Sequence, residues 1–274
     1  MHSTIKIHEI DSAIENSEKF YNDRLEWENK AVNFINKTNN CYMGVLGDFI
    51  KNHLIKEYKL KRNKIKKLFN GELFDDEIIE YSNENKKLFK KIEKLDSIIL
   101  SFGRAEPYKN LESTFVIGRE LKIKPVVIGQ LYYKNQPIAK RYKKIAKKTN
   151  GLVFIDPPFD FAKYILKNYK KDMICLIPSK KEIQGLIINE IRKLNRNNIL
   201  IVANNINGLK EQIKDKYDGI LINTDDIKSS TKKINKYFNK KEMQRLNKNS
   251  QRTLYEKYDF YNNVKIFIKE MIGV

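Results

Sequence analysis

The chain has 274 residues and a formal net charge of +20, from 54 Lys and Arg against 34 Asp and Glu. This length is enough for one large or two modest domains with substantial cores. No apolar run reaches the roughly 18 residues of a membrane-spanning helix, and residues 1–16 are too polar for a signal peptide. We therefore expect a cytoplasmic protein. Cys41 and Cys175 have neither zinc-site nor disulfide spacing, and we expect both to be buried and reduced, with no structural metal.

The positive charge admits three kinds of partner: nucleic acid, an anionic membrane surface and acidic substrates. Lysine is spread along the whole chain together with abundant Asn and Ile, which indicates a compositional bias as much as a functional patch. The sequence has no aromatic RNA-binding motif, no zinc-finger spacing and no compact basic arm, so we expect no nucleic-acid partner. Peripheral contact with an anionic membrane stays open, because a basic face attracts such lipids.

The first part of the chain predicts a small α/β lobe. Residues 11–37 predict a helix, 41–45 a strand, 48–58 a helix and 64–69 a strand that ends at an Asn-Gly turn. The apolar residues available to one side of the first helix are Ile14, Phe20, Leu25, Trp27, Ala31 and Phe34. The charged segment 72–94 would carry the chain to a second lobe.

From residue 96 the pattern alternates regularly between strands and helices. The predicted strands are 97–102, 125–128, 152–155, 174–177, 199–202 and 219–222. The predicted helices are 109–121, 139–148, 160–169, one after Gly185 and a short one after Asn207, and residues 231–274 are expected to be helical to the end. Short apolar strands separated by amphipathic helices indicate a parallel sheet covered on both faces. Ligands of such sheets bind beyond the carboxyl ends of the strands.

The stretch 177–190, IPSKKEIQGLIINE, places Glu182 and Glu190 eight positions apart around Gly185. It predicts strand, loop and helix, and the free N–H groups of the first helical turn would form an anion site. Helix-type spacing of Leu186, Ile187, Ile191 and Leu194 predicts the apolar side of that helix. The two carboxylates could flank a diphosphate and accept hydrogen bonds from sugar hydroxyls. Alternatively, Glu182 is an ordinary helix N-terminal charge and Glu190 an exposed surface residue.

This stretch resembles the E-x7-E signature of retaining glycosyltransferases of family 4, which have the GT-B fold. Gly103-Arg104 with Lys109 is similar to the family's G-R-x4-K stretch. The segment 208–211, followed by Asp218-Gly219, is similar to its G-G-x-x-E and later N-G turns, and 44–71 resembles the passage that closes the N-terminal domain. The resemblance spans roughly residues 5 to 274 and is most specific from 97 to 222.

The resemblance implies roles for particular residues. Arg104 and Lys109 would neutralise the donor diphosphate as the glycosidic bond breaks. Glu182 would contact the donor-sugar hydroxyls and Glu190 the ribose, while His8 is similar to a histidine that touches the transferred sugar. The backbone N–H groups around the start of the helix would hold phosphate; these residues are Gln184, Gly185 and Leu186. The implied catalytic set is Glu182, His8, Arg104 and Lys109. The alternatives are ordinary surface charges for the two cations and simple packing for the histidine.

The resemblance also implies an α/β fold of GT-B type. Residues 1–74 would be the remnant of an N-terminal, acceptor-side lobe, 75–95 the connection and 96–240 a Rossmann-like nucleotide-sugar-binding domain. Residues 241–274 would form helices that pack back toward the first lobe. The implied activity is transfer of a sugar from a nucleotide-diphosphate sugar, expected to be a UDP-sugar, with retention of configuration, to a glycan, lipid or protein acceptor. No metal and no cofactor is required.

Three departures from the family pattern leave alternatives open. The family's glycine-rich loop near the N-terminus has no counterpart, so part of the first lobe is expected to be absent. Residues 191–198, IRKLNRNN, replace a run of small residues, and Asn207 stands where the first glycine of a pair is usual. The chain could be a fragment of a longer enzyme, a split enzyme whose partner chain supplies the first lobe, or a non-catalytic protein of GT-B fold that acts through a partner.

Overall fold

The computed structural model describes Thr4, Lys6 and residues 18–74, 82–132, 136–195 and 197–272. His8 and the first part of the helix expected over 11–37 lie outside the described residues. Among the helices that the structure describes, none combines the length and apolarity needed to cross a bilayer.

The first lobe consists of two helices and two short parallel strands. The elements are α1 Glu18–Lys37, β1 Met43–Val45, α2 Asp48–Tyr58, a 3-10 turn at Arg62–Lys64 and β2 Ile65–Lys67. β1 pairs with β2 in parallel, with Met43 opposite Ile65. The apolar core of this lobe includes Val32, Ile35, Val45, Leu46, Ile50, Leu54, Tyr58 and Leu60. Helix α2 has the bounds that the sequence predicts.

Helix α1 buries a different side from the one predicted. The three aromatic residues of the predicted apolar side are 37%, 64% and 62% exposed; they are Phe20, Trp27 and Phe34. The buried residues are instead Glu28, Val32 and Ile35. The Tyr58 hydroxyl donates a hydrogen bond to Glu28 Oε2. Because this partner satisfies the carboxylate, the helix can bury its Glu28 side and leave its aromatic side in solvent.

The second lobe is built on a six-stranded parallel sheet. Its strands are β3 Ile98–Arg104, β4 Lys124–Gln130, β5 Leu152–Ile155, β6 Met173–Ile177, β7 Ile199–Asn204 and β8 Ile220–Ile222. The order across the sheet is β5-β4-β3-β6-β7-β8. The strand order therefore reverses between β3 and β6, and such a switch point is where doubly wound sheets bind ligands.

Helices cover both faces of this sheet. They are α3 Asn83–Phe89, α4 Ser113–Leu121, α5 Pro137–Lys148, α6 Phe161–Asn168, α7 Leu186–Leu194, α8 Asn207–Gln212 and α9 Ile227–Tyr237. Successive residues of β3 enter opposite apolar clusters, Ile98 and Leu100 in one and Ile99 in the other. This alternation is expected when both faces of a strand are buried. The prediction of an α/β fold with a parallel, Rossmann-like sheet is confirmed.

Helix α4 begins four residues later than predicted. Residues Pro107–Lys109 form a 3-10 turn instead, and Asn110 ends it in a left-handed conformation with φ of 51°. Asparagine tolerates this conformation better than most residues, so the chain changes direction here before the helix starts at Ser113.

Helix α7 packs three of its four predicted apolar residues, Ile187, Ile191 and Leu194, against the core. Leu186 is 50% exposed, whereas Ile188, Ile191 and Arg192 are buried. Arg192 Nη2 lies 3.0 Å from Asp218 Oδ2, and the two side chains are 0% and 2% exposed. A fully paired arginine is therefore buried at a position that the apolar pattern assigns to solvent.

Two further helices, α10 Lys240–Lys257 and α11 Phe260–Ile272, follow α9. The expected continuous helical run over 231–274 is therefore interrupted near Phe238 and Tyr258. The Glu72 N–H donates to the carbonyl of Tyr258 at 2.7 Å, and the Phe260 N–H donates to the carbonyl of Glu72 at 3.2 Å. Lys66 on β2 donates to the carbonyl of Glu270 at 3.2 Å, so α11 lies against the first lobe.

The two cysteines differ in burial. Cys175 on β6 is buried as expected, and burial raises the pKa of its thiol. Cys41 is only partly buried, so the expectation of burial fails there. Neither thiol forms a disulfide.

Candidate functional site

The carboxyl ends of β3 and β6 lie next to each other in the middle of the sheet. The loop after β3 and the loop after β6 are joined by two hydrogen bonds, one between backbone groups and one from a side chain. The Lys180 N–H donates to the carbonyl of Tyr108 at 2.7 Å, and Asn110 Nδ2 donates to the carbonyl of Pro178 at 3.3 Å. The two loops that carry most of the predicted site residues therefore form one edge.

Lys109 and Glu182 form an ion pair across this edge. Lys109 Nζ lies 2.6 Å from Glu182 Oε2, and the side chains are 19% and 16% exposed. A charge-assisted contact of this kind fixes the position of both groups. The structure thus brings together two predicted residues that are 73 positions apart in the sequence.

Arg104 lies at the end of β3 on the same edge, with its side chain 47% exposed. Its guanidinium donates to the hydroxyl oxygens of Tyr108 and Tyr132. Its Nη2 also lies 3.5 Å from Glu106 Oε2. These contacts orient the planar guanidinium while about half of the side chain stays accessible to a ligand. Sequence reasoning missed the two tyrosines and Glu106, although Tyr108 stands four residues after the arginine.

Gly185 precedes α7, as predicted, but its amide already has a partner. The Gly185 N–H donates to Gln212 Oε1 at 2.6 Å, and Gln212 Nε2 donates to the Gly185 carbonyl at 3.1 Å. Phosphate binding by the Gly185 N–H, as expected from the sequence, is therefore not available in this conformation. The amides of Gln184 and Leu186 remain candidates at this helix terminus, where the dipole favours an anion.

Glu190 lies on α7 with different neighbours from those of Glu182. Its Oε1 is 3.9 Å from Lys163 Nζ. The pKa of Glu72 is raised, first by burial and then by the charge of Glu190. The two carboxylates of the E-x7-E pattern therefore occupy different parts of the site, one beside Lys109 and one beside α6 and the segment after β2.

A cavity of about 420 Å³ lies between the two lobes, with Glu182 in its wall. The second lobe contributes residues from the loops after β6 and β7: Lys180, Lys181, Glu182, Asn205, Ile206 and Asn207. The first lobe contributes Lys6, Phe49 and His53. Clefts between lobes are frequent ligand sites, so this cavity is the space in which a molecule can touch Glu182.

His53 is the histidine that the structure places in this cavity, whereas His8 lies outside the described residues. Its Nε2 is 2.8 Å from Thr4 Oγ1. Its pKa is lowered, mainly by burial, which favours the neutral imidazole at pH 7. Sequence reasoning missed both His53 and Phe49. Their spacing of four residues on α2 places them on one helix face, but nothing local indicated which lobe they would meet.

Glu211 on α8 links the second lobe to the first. Its Oε1 accepts a hydrogen bond from the Phe49 N–H at the start of α2. A Cβ added at Gly47 would lie 2.1 Å from Glu211 Oε2, so any side chain at position 47 would displace this carboxylate. Lys257 donates to the Glu211 carbonyl at 2.9 Å. A second cavity of about 230 Å³ adjoins this contact.

Replacing Glu211 with glutamine should remove one loss of stability that accompanies rising pH. The pKa of Glu211 is raised above 4.5, first by burial, with Asp48 adding to the effect. The native state therefore favours the protonated carboxyl, and the contribution of Glu211 to the free energy of unfolding falls as the pH rises from about 4.5 through this raised pKa. Urea unfolding across this pH range measures the slope. The exposed Glu120→Gln variant is the control, and an unchanged slope in Glu211→Gln would contradict the assignment.

Among the described residues, no three His, Cys, Asp or Glu side chains converge where they could hold a metal ion. The charges at the candidate site are those of Arg104, Lys109, Glu182 and Glu190 together with the lysines of the cavity. The arrangement can bind an anion on the Arg104 and Lys109 side and hydroxyl groups on the carboxylate side.

Several solved structures share the fold of this chain. The glycosyltransferase from Rickettsia africae ESF-5 is 18% identical, with a TM-score of 0.71, over 89% of this chain and 67% of that chain. Anabaena Alr3699/HepE in complex with UDP and glucose is 14% identical, with a TM-score of 0.74, over 98% and 71% of the two chains. TarM, an S. aureus protein, is 18% identical, with a TM-score of 0.65, over 90% and 46%. At these identities the likeness shows a common GT-B fold.

The sequence itself matches a family model, although the comparison with curated proteins found no match. The model describes glycosyl transferases group 1 and covers residues 82–253. This range contains the whole six-stranded sheet and the Lys109–Glu182 pair, and it is more than half of the chain. The chain therefore belongs to the group 1 glycosyl transferases.

Proposed function

We propose that this protein binds a nucleoside-diphosphate sugar at the carboxyl ends of β3 and β6 and transfers the sugar with retention, as family 4 enzymes do. The observation that carries the proposal is the Lys109–Glu182 pair, which joins the two loops at the switch point of the sheet. The pair lies beside a cavity of about 420 Å³ between the lobes. A cation for the leaving group and a carboxylate for the sugar therefore stand side by side.

The proposed chemistry is electrostatic. Arg104 and Lys109 neutralise the diphosphate as the bond to the sugar breaks and negative charge develops on the leaving group. Arg104 can contact two phosphate oxygens with its planar guanidinium, while Lys109 acts as a mobile point charge. The amides of Gln184 and Leu186 add donors at the start of α7. No metal is needed in this design, because the two side chains supply the positive charge.

Glu182 and Glu190 orient the donor. Glu182 accepts hydrogen bonds from hydroxyl groups of the sugar, and Lys109 turns from the carboxylate to the phosphate as the donor enters. Glu190, beside Lys163, accepts hydrogen bonds from the ribose. Phe49 and His53 close the cavity from the first lobe, which limits access of water to the activated sugar. A glycan, lipid or protein acceptor would approach through this cavity.

The comparisons support a uridine nucleotide as the donor carrier. Alr3699/HepE, which shares the fold, is described in complex with UDP and glucose and with UDP-glucose. Arg104 and Lys109 contact the part of the donor that all nucleotide sugars share. Other residues would recognise the nucleotide base. Because the related structure is described with UDP, UDP-sugars are the first candidates to test.

The test is donor cleavage without an added acceptor. The protein is incubated with UDP-glucose, GDP-mannose and ADP-glucose, and released nucleotide and free sugar are measured. For UDP-glucose, retention predicts that α-glucose appears first in proton NMR spectra. Release of β-glucose would contradict retention, and absence of binding to every nucleotide sugar by the folded protein would contradict the proposed function.

A further inference from the structure

Three aromatic residues form a line along the exposed side of α1. Phe20, Trp27 and Phe34 follow each other at intervals of seven residues, and two helical turns separate each from the next. Trp27 and Phe34 are 64% and 62% exposed, and Phe20 is 37% exposed. Single exposed apolar residues are common on protein surfaces, but an aligned set marks an interaction surface. We call these three residues the aromatic stripe.

The opposite side of α1 anchors the helix in the first lobe. Val32 is 1% exposed and Ile35 9% exposed, and both belong to the core that α1 shares with α2. Contact of a partner with the exposed Trp27 and Phe34 therefore needs no change in this core.

The charges on α1 indicate what kind of partner fits. The helix carries four acidic residues and four basic ones, Glu18, Asp23, Glu26 and Glu28 against Lys19, Arg24, Lys30 and Lys37. It is thus neutral in a chain whose net charge is +20. A helix that lies on an anionic bilayer carries an excess of Lys and Arg beside its apolar face. A balanced helix suits a partner that presents both signs of charge.

Two of these charges flank the stripe on one side. Asp23 lies four residues before Trp27 and Lys30 three residues after it, so helical geometry places both on the same flank. Both are exposed. Lys30 also pairs with Glu26 on its own helix, but an exposed pair of this type is weak and can exchange partners.

We propose that α1 pairs with α1 of a second copy of this chain, antiparallel, across a two-fold axis at Trp27. In this arrangement, a residue that precedes Trp27 on one helix faces the residue that follows Trp27 by the same number of positions on the other helix. Phe20 meets the partner's Phe34, and the two tryptophans meet at the axis. Asp23 and the partner's Lys30 then lie on the same side of the contact. Their positions along the helix axis differ by one residue, about 1.5 Å.

The two-fold symmetry doubles each of these contacts, as an isologous interface requires. In a parallel pairing in register, the flank that carries Asp23 and Lys30 would lie on opposite sides of the contact in the two helices, so Asp23 could not pair with the partner's Lys30. The aromatic stripe is the same in both arrangements. The Asp23–Lys30 contact between two copies therefore forms in the antiparallel arrangement and not in the parallel one.

The chain has a single tryptophan, so its fluorescence reports directly on the centre of the proposed interface. Sedimentation velocity and tryptophan emission are measured over a concentration series. We expect a dimer at high protein concentration, with emission that shifts to shorter wavelength as Trp27 leaves water. A monomer with concentration-independent emission would overturn the proposal.

Trp27→Glu should weaken dimerisation at least about 30-fold, as loss of a central aromatic hot spot does. The control is Tyr255→Glu, because Tyr255 is 60% exposed on α10 and its replacement should leave the dimer intact. Circular dichroism and thermal unfolding confirm that both variants fold. A dimer that survives Trp27→Glu would overturn the assignment of the interface.

A charge exchange tests the antiparallel arrangement independently. Asp23→Lys alone should weaken the dimer, since the new positive charge would face the partner's Lys30. The double variant Asp23→Lys, Lys30→Asp should restore it. Failure of the double variant to recover would overturn the antiparallel pairing. Binding of a purely monomeric wild type to vesicles of anionic lipid through Trp27 would likewise overturn a second copy as the occupant.

Discussion

Replacement of Asp218 by alanine should lower the free energy of unfolding by about 3–5 kcal/mol, because it leaves a buried positive charge without its counter-ion. The Arg192 side chain is 0% exposed and its Nη2 lies 3.0 Å from Asp218 Oδ2. The same nitrogen donates to the Gln212 carbonyl at 2.7 Å. Burial lowers the pKa of Arg192, and the Asp218 charge acts in the opposite direction. Without Asp218 the guanidinium keeps only neutral acceptors.

Urea unfolding measures this loss as a lower midpoint at an unchanged slope. Asp96→Ala is the matched control. Its carboxylate also pairs with a cation, Lys171, at 3.3 Å but is fully exposed, so the expected change is within about 0.5 kcal/mol. A loss below about 1 kcal/mol for Asp218→Ala would contradict the view that this buried pair holds α7 in place.

Replacement of Glu182 by glutamine should reduce the rate of sugar transfer by about 100- to 1,000-fold while leaving nucleotide affinity within a few-fold of wild type. The size follows from the loss of one preorganised polar group at the reacting centre. Glutamine keeps the shape of the side chain but removes the charge that holds Lys109 at 2.6 Å. Lys109 remains available for the diphosphate, so the effect falls on turnover rather than on binding of UDP.

The matched control is Asp215→Asn. Asp215 forms an ion pair with Lys233 at 2.8 Å, and the two side chains are 33% and 27% exposed. The pair lies between the segment before β8 and helix α9, away from the ends of β3 and β6. We expect normal transfer by this variant. Equal loss of activity in both variants would mean that ion-pair loss acts through stability and not through the sugar site.

Much of the fold could be predicted from the sequence, because parallel strands buried on both faces appear as short continuous apolar runs. Strand Leu152–Ile155 has the predicted bounds, and β6 and β7 differ from the prediction by one or two residues at one end. The glycine before α7 marks where that helix starts. These signals are local, so one sequence is enough to find them.

The burial of charged residues on α1 and α7 could not be predicted in the same way. Each helix buries a charged residue, Glu28 or Arg192, which an apolar pattern assigns to solvent. Their partners Tyr58 and Asp218 are 30 and 26 residues away in the sequence. Only the tertiary fold brings these groups together and makes the burial of the charges possible.

The candidate site also combines residues that the sequence predicts with contacts that only the tertiary fold creates. Spacing and family resemblance pointed to Lys109 and Glu182, but their direct contact depends on the adjacency of β3 and β6. The link between Phe49 and Glu211 joins residues 162 positions apart and has no local signal. The same holds for the Gln212 side chain that occupies the Gly185 amide.

The central claim is that the edge formed by β3, β6 and α7 holds a nucleoside diphosphate, and a calorimetric titration tests it most directly. UDP, GDP and ADP are titrated into wild type, Glu190→Ala and the exposed-site control Glu120→Ala. We expect one nucleotide, UDP, to bind at one site, and Glu190→Ala to weaken it about 10- to 100-fold through loss of charge-assisted hydrogen bonds to the ribose. The Glu120→Ala control should bind like wild type. Binding that is unchanged in Glu190→Ala, or no binding of any nucleotide to the folded wild type, would contradict the account.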